Sequence, residues 1–301
     1  MSHYIYRLLG WFVLLFVVST GQAAQSRIAD VHLHWKWNQK EVTSVEEAVA
    51  TLERQNIGLA VVTGTPPELA LELYRATPER VIPIYGLYRD PEEWSSWHHD
   101  PGLLGRVRVA LESGAYRGIG EVHLIGGFVS HWKNPVIAGL FDLGAEFDVP
   151  VLIHVEFSRA NYTLGLCHAH PDTRFLLAHA GSMLKPSEVK RVLDGCPNVE
   201  VELSARDPWR HRRNRITDET GKLKEEWRNL IVAYADRFMV GSDPVWPVDR
   251  LDAWDEPDTG WQEVGRFIDF HRDWLATLPS EKADQIRWGN AYRFFRVNRE
   301  P

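Results

Sequence analysis

Cysteine is scarce. The 301 residues contain two, Cys167 and Cys196, too few for a disulfide framework and not spaced as a zinc site. In an oxidising compartment they could pair, and free buried thiols fit the sequence equally well. Basic excess is missing as well. With 34 Lys and Arg against 41 Asp and Glu, the formal charge is −7, which argues against nucleic acid as the partner because phosphate-binding faces are basic. No Gly-rich dinucleotide fingerprint follows the first apolar run, and no Gly-, Ser- or Pro-rich linker divides the chain. The longest hydrophobic run, residues 8–18, has 11 residues, short of the roughly 20 that span a membrane.

That run is itself informative. Arg7 precedes it, and Ser19, Thr20, Gly21, Gln22 and Ala23 close it, the order of a signal peptide. The expectation is a leader over residues 1–23, cut after Ala23 or Ala24, and a folded part that is periplasmic or secreted. An uncleaved N-terminal anchor is the alternative. No Cys follows the run, which argues against a lipoprotein anchor, and no stable membrane span is expected once the leader is gone. Loss of Arg7 brings the charge to about −8. The apolar share of 44% and charged share of 25% are ordinary for a globular chain. Thirteen Trp fill a core or line a site for ring-shaped ligands.

From residue 26 to 301 the sequence alternates short apolar runs with helical patterns, as βαβ units and a parallel sheet require. Strands are expected at 28–34, 57–63, 81–88, 117–124, 150–156, 174–179, 199–204 and 237–243. Helices are expected at 43–55, 67–76, 134–147, 185–193, 222–234, 261–275 and 280–288. Eight strands with intervening helices predict an α/β fold of the (β/α)8 TIM-barrel type in one domain. The longest irregular pieces, 89–101, 205–221 and 244–260, follow strands three, seven and eight. They should shape a pocket at the barrel's carboxyl-end face.

Residue types at the strand ends point to chemistry. Asp30-Val31-His32-Leu33-His34 closes strand one, and side chains two apart share a face, so His32 and His34 can meet one metal. Gly120-Glu121-Val122-His123 closes strand four, with Glu121 as an oxygen donor and His123 as a pocket-lining, substrate-side residue. His154 ends strand five, His179 ends strand six and Asp243 ends strand eight. A single such residue is often structural. Five of eight strands ending this way predict convergence on one cup at the barrel mouth. Imidazole and carboxylate together suit Zn2+, with Mn2+, Ni2+ or Fe2+ as alternatives, as one ion or two.

On these motifs the sequence resembles the amidohydrolase superfamily, most closely its amidohydrolase-2 branch, over roughly residues 27–295. The tail Ile286-Arg287-Trp288-Gly289-Asn290-Ala291 looks like that branch's closing segment. The resemblance implies metal binding by His32, His34 and His154, a second metal or substrate contact for His179, and a metal-binding, base role for Asp243. Gly120-Glu121 is similar to the TatD-like branch, where the strand-four Glu helps hold two metals. No Lys lies near the end of strand four, so Glu121 replaces a carboxylated lysine. The implied reaction is hydrolysis of an ester, lactone, amide or phosphoester in a small-molecule substrate. Decarboxylation of an aromatic or enol acid, or a metal-binding barrel without catalysis, are the alternatives.

Specificity would come from the loops. Trp35, Trp37 and Trp246 either stack on substrate or pack loops. Arg206, Arg210, Arg212 and Arg213 either clamp an anion, with Arg206 the foremost candidate, or form a solvated basic loop. Arg159 has the same two readings. Oligomeric state is left open, a homo-oligomer included.

Overall fold

The computed structural model describes residues 26–125, 132–155, 159–210, 215–245 and 256–297. The leader, Glu156, Arg212, Arg213 and Trp246 lie outside them. The apolar runs form eight strands: β1 (Ile28–Lys36), β2 (Ile57–Thr65), β3 (Val81–Tyr85), β4 (Ile119–Ile125), β5 (Val151–Val155), β6 (Phe175–Leu177), β7 (Val199–Glu202) and β8 (Phe238–Met239). They pair in chain order, each parallel to the next. The Val31 amide donates to the Val240 carbonyl (3.0 Å) and the Asp243 amide to the His32 carbonyl (2.7 Å), bringing the chain after β8 back onto β1. This is the (β/α)8 barrel.

Helices cover the outside: α1 (Val45–Arg54), α2 (Glu68–Ala76), α3 (Gly102–Glu112), α4 (Pro135–Glu146), α5 (Ala160–Ala169), α6 (Pro186–Gly195), α7 (Glu225–Ala233), α8 (Gly260–Leu275) and α9 (Ser280–Asp284), while α10 (Asn290–Phe294) packs against the inner layer. Their starts are chemically marked. Ser44 and Glu47 form a capping box on α1, and Asn134 accepts from the Val136 amide (2.8 Å) ahead of Pro135 on α4. Helices α3 and α5 were not expected. In α3, Gly102, Gly105, Arg106 and Arg108 interrupt the apolar stripe and Val109 faces solvent. In α5 the apolar side chains are spread around the helix, so no one-sided pattern announces it. The expected helix over 280–288 is instead α9, a π turn at Gln285–Gly289, and α10.

Two apolar layers result. Leu33, Trp35, Val62, Phe175 and Val201 pack outward against helix residues such as Leu52, Phe141, Val192, Ile231 and Trp261. Ala29, Val31, Leu59, Val61, Ile82, Ile84, Leu152, Leu176 and Met239 fill the barrel's amino-terminal half together with Tyr292, Phe294 and Phe295. Asn290 anchors that closing segment by donating to the carbonyls of Ala235 and Phe238, both at 2.7 Å. Cys167 and Cys196 form a disulfide joining α5 to the end of α6, with Cα atoms 5.9 Å apart. Among the described residues, no helix is long and apolar enough to cross a membrane.

Candidate metal centre

The register of β1 makes the site. Val31 belongs to the inner apolar layer and Leu33 and Trp35 to the outer one. A pairing irregularity between Asp30 and Leu33 shifts the alternation, so that His32 and His34 point inward beyond Val31. The rings lie with Nε2 atoms 3.1 Å apart. Two glycines permit the close approach of neighbouring strands. Gly120 has φ 135°, and a Cβ there would stand 2.6 Å from the Leu152 carbonyl oxygen; a Cβ on Gly241 would stand 2.7 Å from His32 Cβ.

Glu121 occupies the centre. One carboxylate oxygen lies 3.5 Å from His32 Nε2, 3.4 Å from His34 Nε2 and 3.5 Å from His123 Nε2. The other lies 2.7 Å from His154 Nδ1 and 3.5 Å from His179 Nε2. Asp243 completes the cup, with Oδ1 3.4 Å from His34 Nε2 and 3.8 Å from His32 Nε2, and Oδ2 3.9 Å from His179 Nε2. All six donors expected from the sequence are thus together. They reach the cup differently from the expected strand ends. β6 stops at Leu177 and β8 at Met239, so His179 and Asp243 sit in turns past their strands, with φ 55° and 46°.

The expected substrate-side residues fare otherwise. His123 does flank the cup, its ring stacked on His154 at 4.7 Å and edge-on to Trp94 at 4.5 Å. Trp35 is corrected: it is fully buried in the outer layer, edge-on to Trp261 with its indole N–H on Glu72. Inward-pointing His32 and His34 oblige an alternate residue to point outward. Arg206 is corrected too. It is 1% exposed and its guanidinium is engaged with the carbonyls of His179, Ala180 and Leu184 rather than turned into the cup.

Residues the sequence reading passed over hold the site in place. Glu202, at the end of β7, lies 3.0 Å from His32 Nδ1 and accepts from the His179 amide at 2.7 Å. Ser204 Oγ lies 2.8 Å from His179 Nδ1. With Nδ1 so engaged, His32 and His179 each present Nε2 to the cup. The available signal was positional, since Glu202 stands at the carboxyl end of its strand, where other strands carry their donors.

Electrostatically, the cup draws a cation. Burial disfavours a charged His32, yet Glu121, Asp243 and Glu202 outweigh it and raise its pKa well above the usual imidazole value. Burial likewise opposes ionised Glu121, Glu202 and Asp243, but the histidines prevail: Glu121 and Asp243 are held far below the ordinary carboxylate range and Glu202 at about 2. The carboxylates that would keep a proton on His32 suit a metal ion equally. The sets His32–Glu121–His179, His32–His34–Asp243 and Glu121–His123–His154 each bring one donor atom per residue within 4.8 Å of one another. Donors about 2.1 Å from one tetrahedral ion stand about 3.4 Å apart, close to the His34–Glu121 and His34–Asp243 separations of 3.4 Å. The residues therefore fit a divalent metal.

Barrel and cup together define a metal-dependent hydrolase. The chain belongs to the amidohydrolase family, whose model matches residues 29–297. No curated protein matches it significantly. Among solved structures, a TatD homologue from Escherichia coli K12 is similar with a TM-score of 0.63 and 16% identity, over 90% of this chain and 98% of that one. A Pseudomonas putida protein assigned as a 2-pyrone-4,6-dicarboxylic acid hydrolase gives 0.61 and 16%, over 91% and 99%. The 5-carboxyvanillate decarboxylase of Novosphingobium aromaticivorans, complexed with manganese, gives 0.52 and 14%, over 83% and 79%. At such identities the likeness is one of fold.

Proposed function

We propose that this chain is an exported hydrolase that activates water against an ester, lactone, amide or phosphoester bond in a small molecule. The observation that carries the reading is the convergence of His32, His34, Glu121, His154, His179 and Asp243 on one buried cup. The expected leader and the Cys167–Cys196 bridge support a periplasmic or secreted location. One or two divalent ions, Zn2+ first and Mn2+, Ni2+ or Fe2+ otherwise, would be held among His32, His34, Glu121, His154, His179 and Asp243 and would supply Lewis acidity and a water of lowered pKa.

The protein's own groups do the rest. Asp243 stays ionised beside His32, His34 and His179, takes the proton of the attacking water and returns it to the leaving group. His179, oriented by Ser204, turns Nε2 toward the charge that develops on the attacked group. Glu202 keeps His32 in the tautomer that leaves Nε2 free. His123 lines the approach on the β4 side.

The test is metal analysis of the purified mature protein, then a panel of esters, lactones, amides and phosphoesters in 18O-labelled water. Label in the product and retained metal are expected. Release of CO2 from aromatic or enol acids without label would replace hydrolysis by decarboxylation. A metal-loaded protein inert on both panels would leave a binding barrel.

A further inference from the structure

The cup depends on two turns with left-handed backbone: His179 and Ala180 after β6 (φ 55° and 48°) and Asp243 after β8 (φ 46°). None is glycine, so each conformation costs free energy that the surroundings must offset. β7 runs between β6 and β8, and the loop after it sends one arginine to each turn. Arg206 donates Nε to the His179 carbonyl (2.6 Å) and a terminal nitrogen to those of Ala180 (2.9 Å) and Leu184 (3.1 Å). Its guanidinium lies 5.0 Å over the Trp227 ring. Arg210 donates to the carbonyls of Ser242 (2.7 Å) and Asp243 (2.5 Å). It is held by Asp207 through Nε (2.7 Å) and lies 3.8 Å over Phe267.

We propose that Arg206 and Arg210 are paired positioning residues: from one loop they hold the His179 and Asp243 turns at the separation the cup requires. The proposal deepens the function given above and rests on it for the roles of His179 and Asp243. Both guanidiniums are buried and engaged with backbone carbonyls. Their rigid planar forks match adjacent carbonyls in a fixed geometry that a lysine ammonium, a compact point charge, does not reproduce. Arg206 and Arg210 thus act inward, chiefly on backbone carbonyls, and Arg210 also lies 3.8 Å from the Asp243 carboxylate.

The test compares Arg206→Gln, Arg210→Gln and the two Lys variants. Arg237→Gln is the control, since Arg237 also donates to carbonyls, of Cys196 (2.7 Å) and Val199 (3.1 Å), beneath β7 and β8. Hydrogen–deuterium exchange is read on the metal-free chain, and Co2+ titration follows. Arg206→Gln should speed exchange about tenfold in a peptide over 178–184 and leave 241–245 unchanged; Arg210→Gln should do the reverse, and Arg237→Gln neither. Both site variants should bind Co2+ roughly 10–100-fold more weakly, with an altered visible spectrum, and lower kcat with KM nearly constant. The Lys variants should fail to restore any of this, and they give the same exchange reading where the Gln variants do not fold. Rescue by Lys, equal response of both peptides to either change, or no response, would overturn the proposal. Wild-type protein that takes up no metal would defeat the proposed function, while the exchange pattern would still decide the clamp.

Discussion

The two halves of the barrel interior use the same strands in opposite ways. Toward their amino ends, Val31, Val61, Ile84, Leu152 and Leu176 pack with Phe295 into a dry floor. A few residues further along, the interior holds His32, His34, Glu121, His154, His179 and Asp243, all nearly buried and all polar. The floor gains from removing apolar area from water and asks nothing of its neighbours' orientation. The mouth must offset the desolvation of several ionisable groups, so each is held by a partner: Glu202 on His32, Ser204 on His179, arginines on the turns. Stability and chemistry therefore fail through different residues.

The sharpest test of that division is Asp243→Asn. Turnover should fall about 100- to 10,000-fold with the circular dichroism and melting curve of the wild type; near-normal kcat would remove the aspartate from the proposed role. The converse change is Leu176→Ala in the floor, fully buried. It should lower the unfolding free energy by about 2–5 kcal/mol and leave kcat within roughly twofold below the melting temperature; a comparable loss of kcat would mean the halves are coupled.

A third probe sits between them. His271 is buried, with Nε2 on the Gly241 carbonyl (2.9 Å) and Nδ1 accepting from the Trp274 indole N–H (3.2 Å). Accepting from Trp274 requires the neutral ring with its proton on Nε2, and burial depresses its pKa to about 4. Below pH 6.5 the unfolded chain binds a proton that the folded ring refuses. Its stabilisation is therefore complete above pH 6.5 and is lost as pH falls toward 4, by a few kcal/mol at about 1.4 kcal/mol per pKa unit. Denaturant titrations of metal-free protein across that window should fall more steeply for wild type than for His271→Gln; parallel curves would refute it. The smallest expected effect is Glu202→Gln, which leaves His32 Nδ1 without its carboxylate partner. Metal affinity should drop roughly 10–100-fold by chelator competition, with little change in Tm of the metal-free protein.

Much of this was legible in one dimension. The eight apolar runs appear as eight strands in order, and the six donors were all named, because a strand's period of two and an apolar run ending in His, Glu or Asp are local properties. Other features were not. Helices α3 and α5 are held by packing where their own patterns are weak. Trp35, expected just past strand one to stack on substrate or to pack a loop, belongs to β1 itself, where its parity sends it outward. Glu202 and Ser204 matter through the two histidine rings they orient, on β1 and after β6, which no spacing along the chain reveals.

Which residue types carry the chemistry, and on which strands, follows from the linear order, since alternation and turn chemistry act over a few residues. How those side chains face one another does not. The irregularity in β1, the left-handed turns after β6 and β8, and the reversal of Arg206 from surface to backbone arise only when distant segments pack. There, burial turns each unpaired polar group into a cost of several kcal/mol that some remote partner must remove.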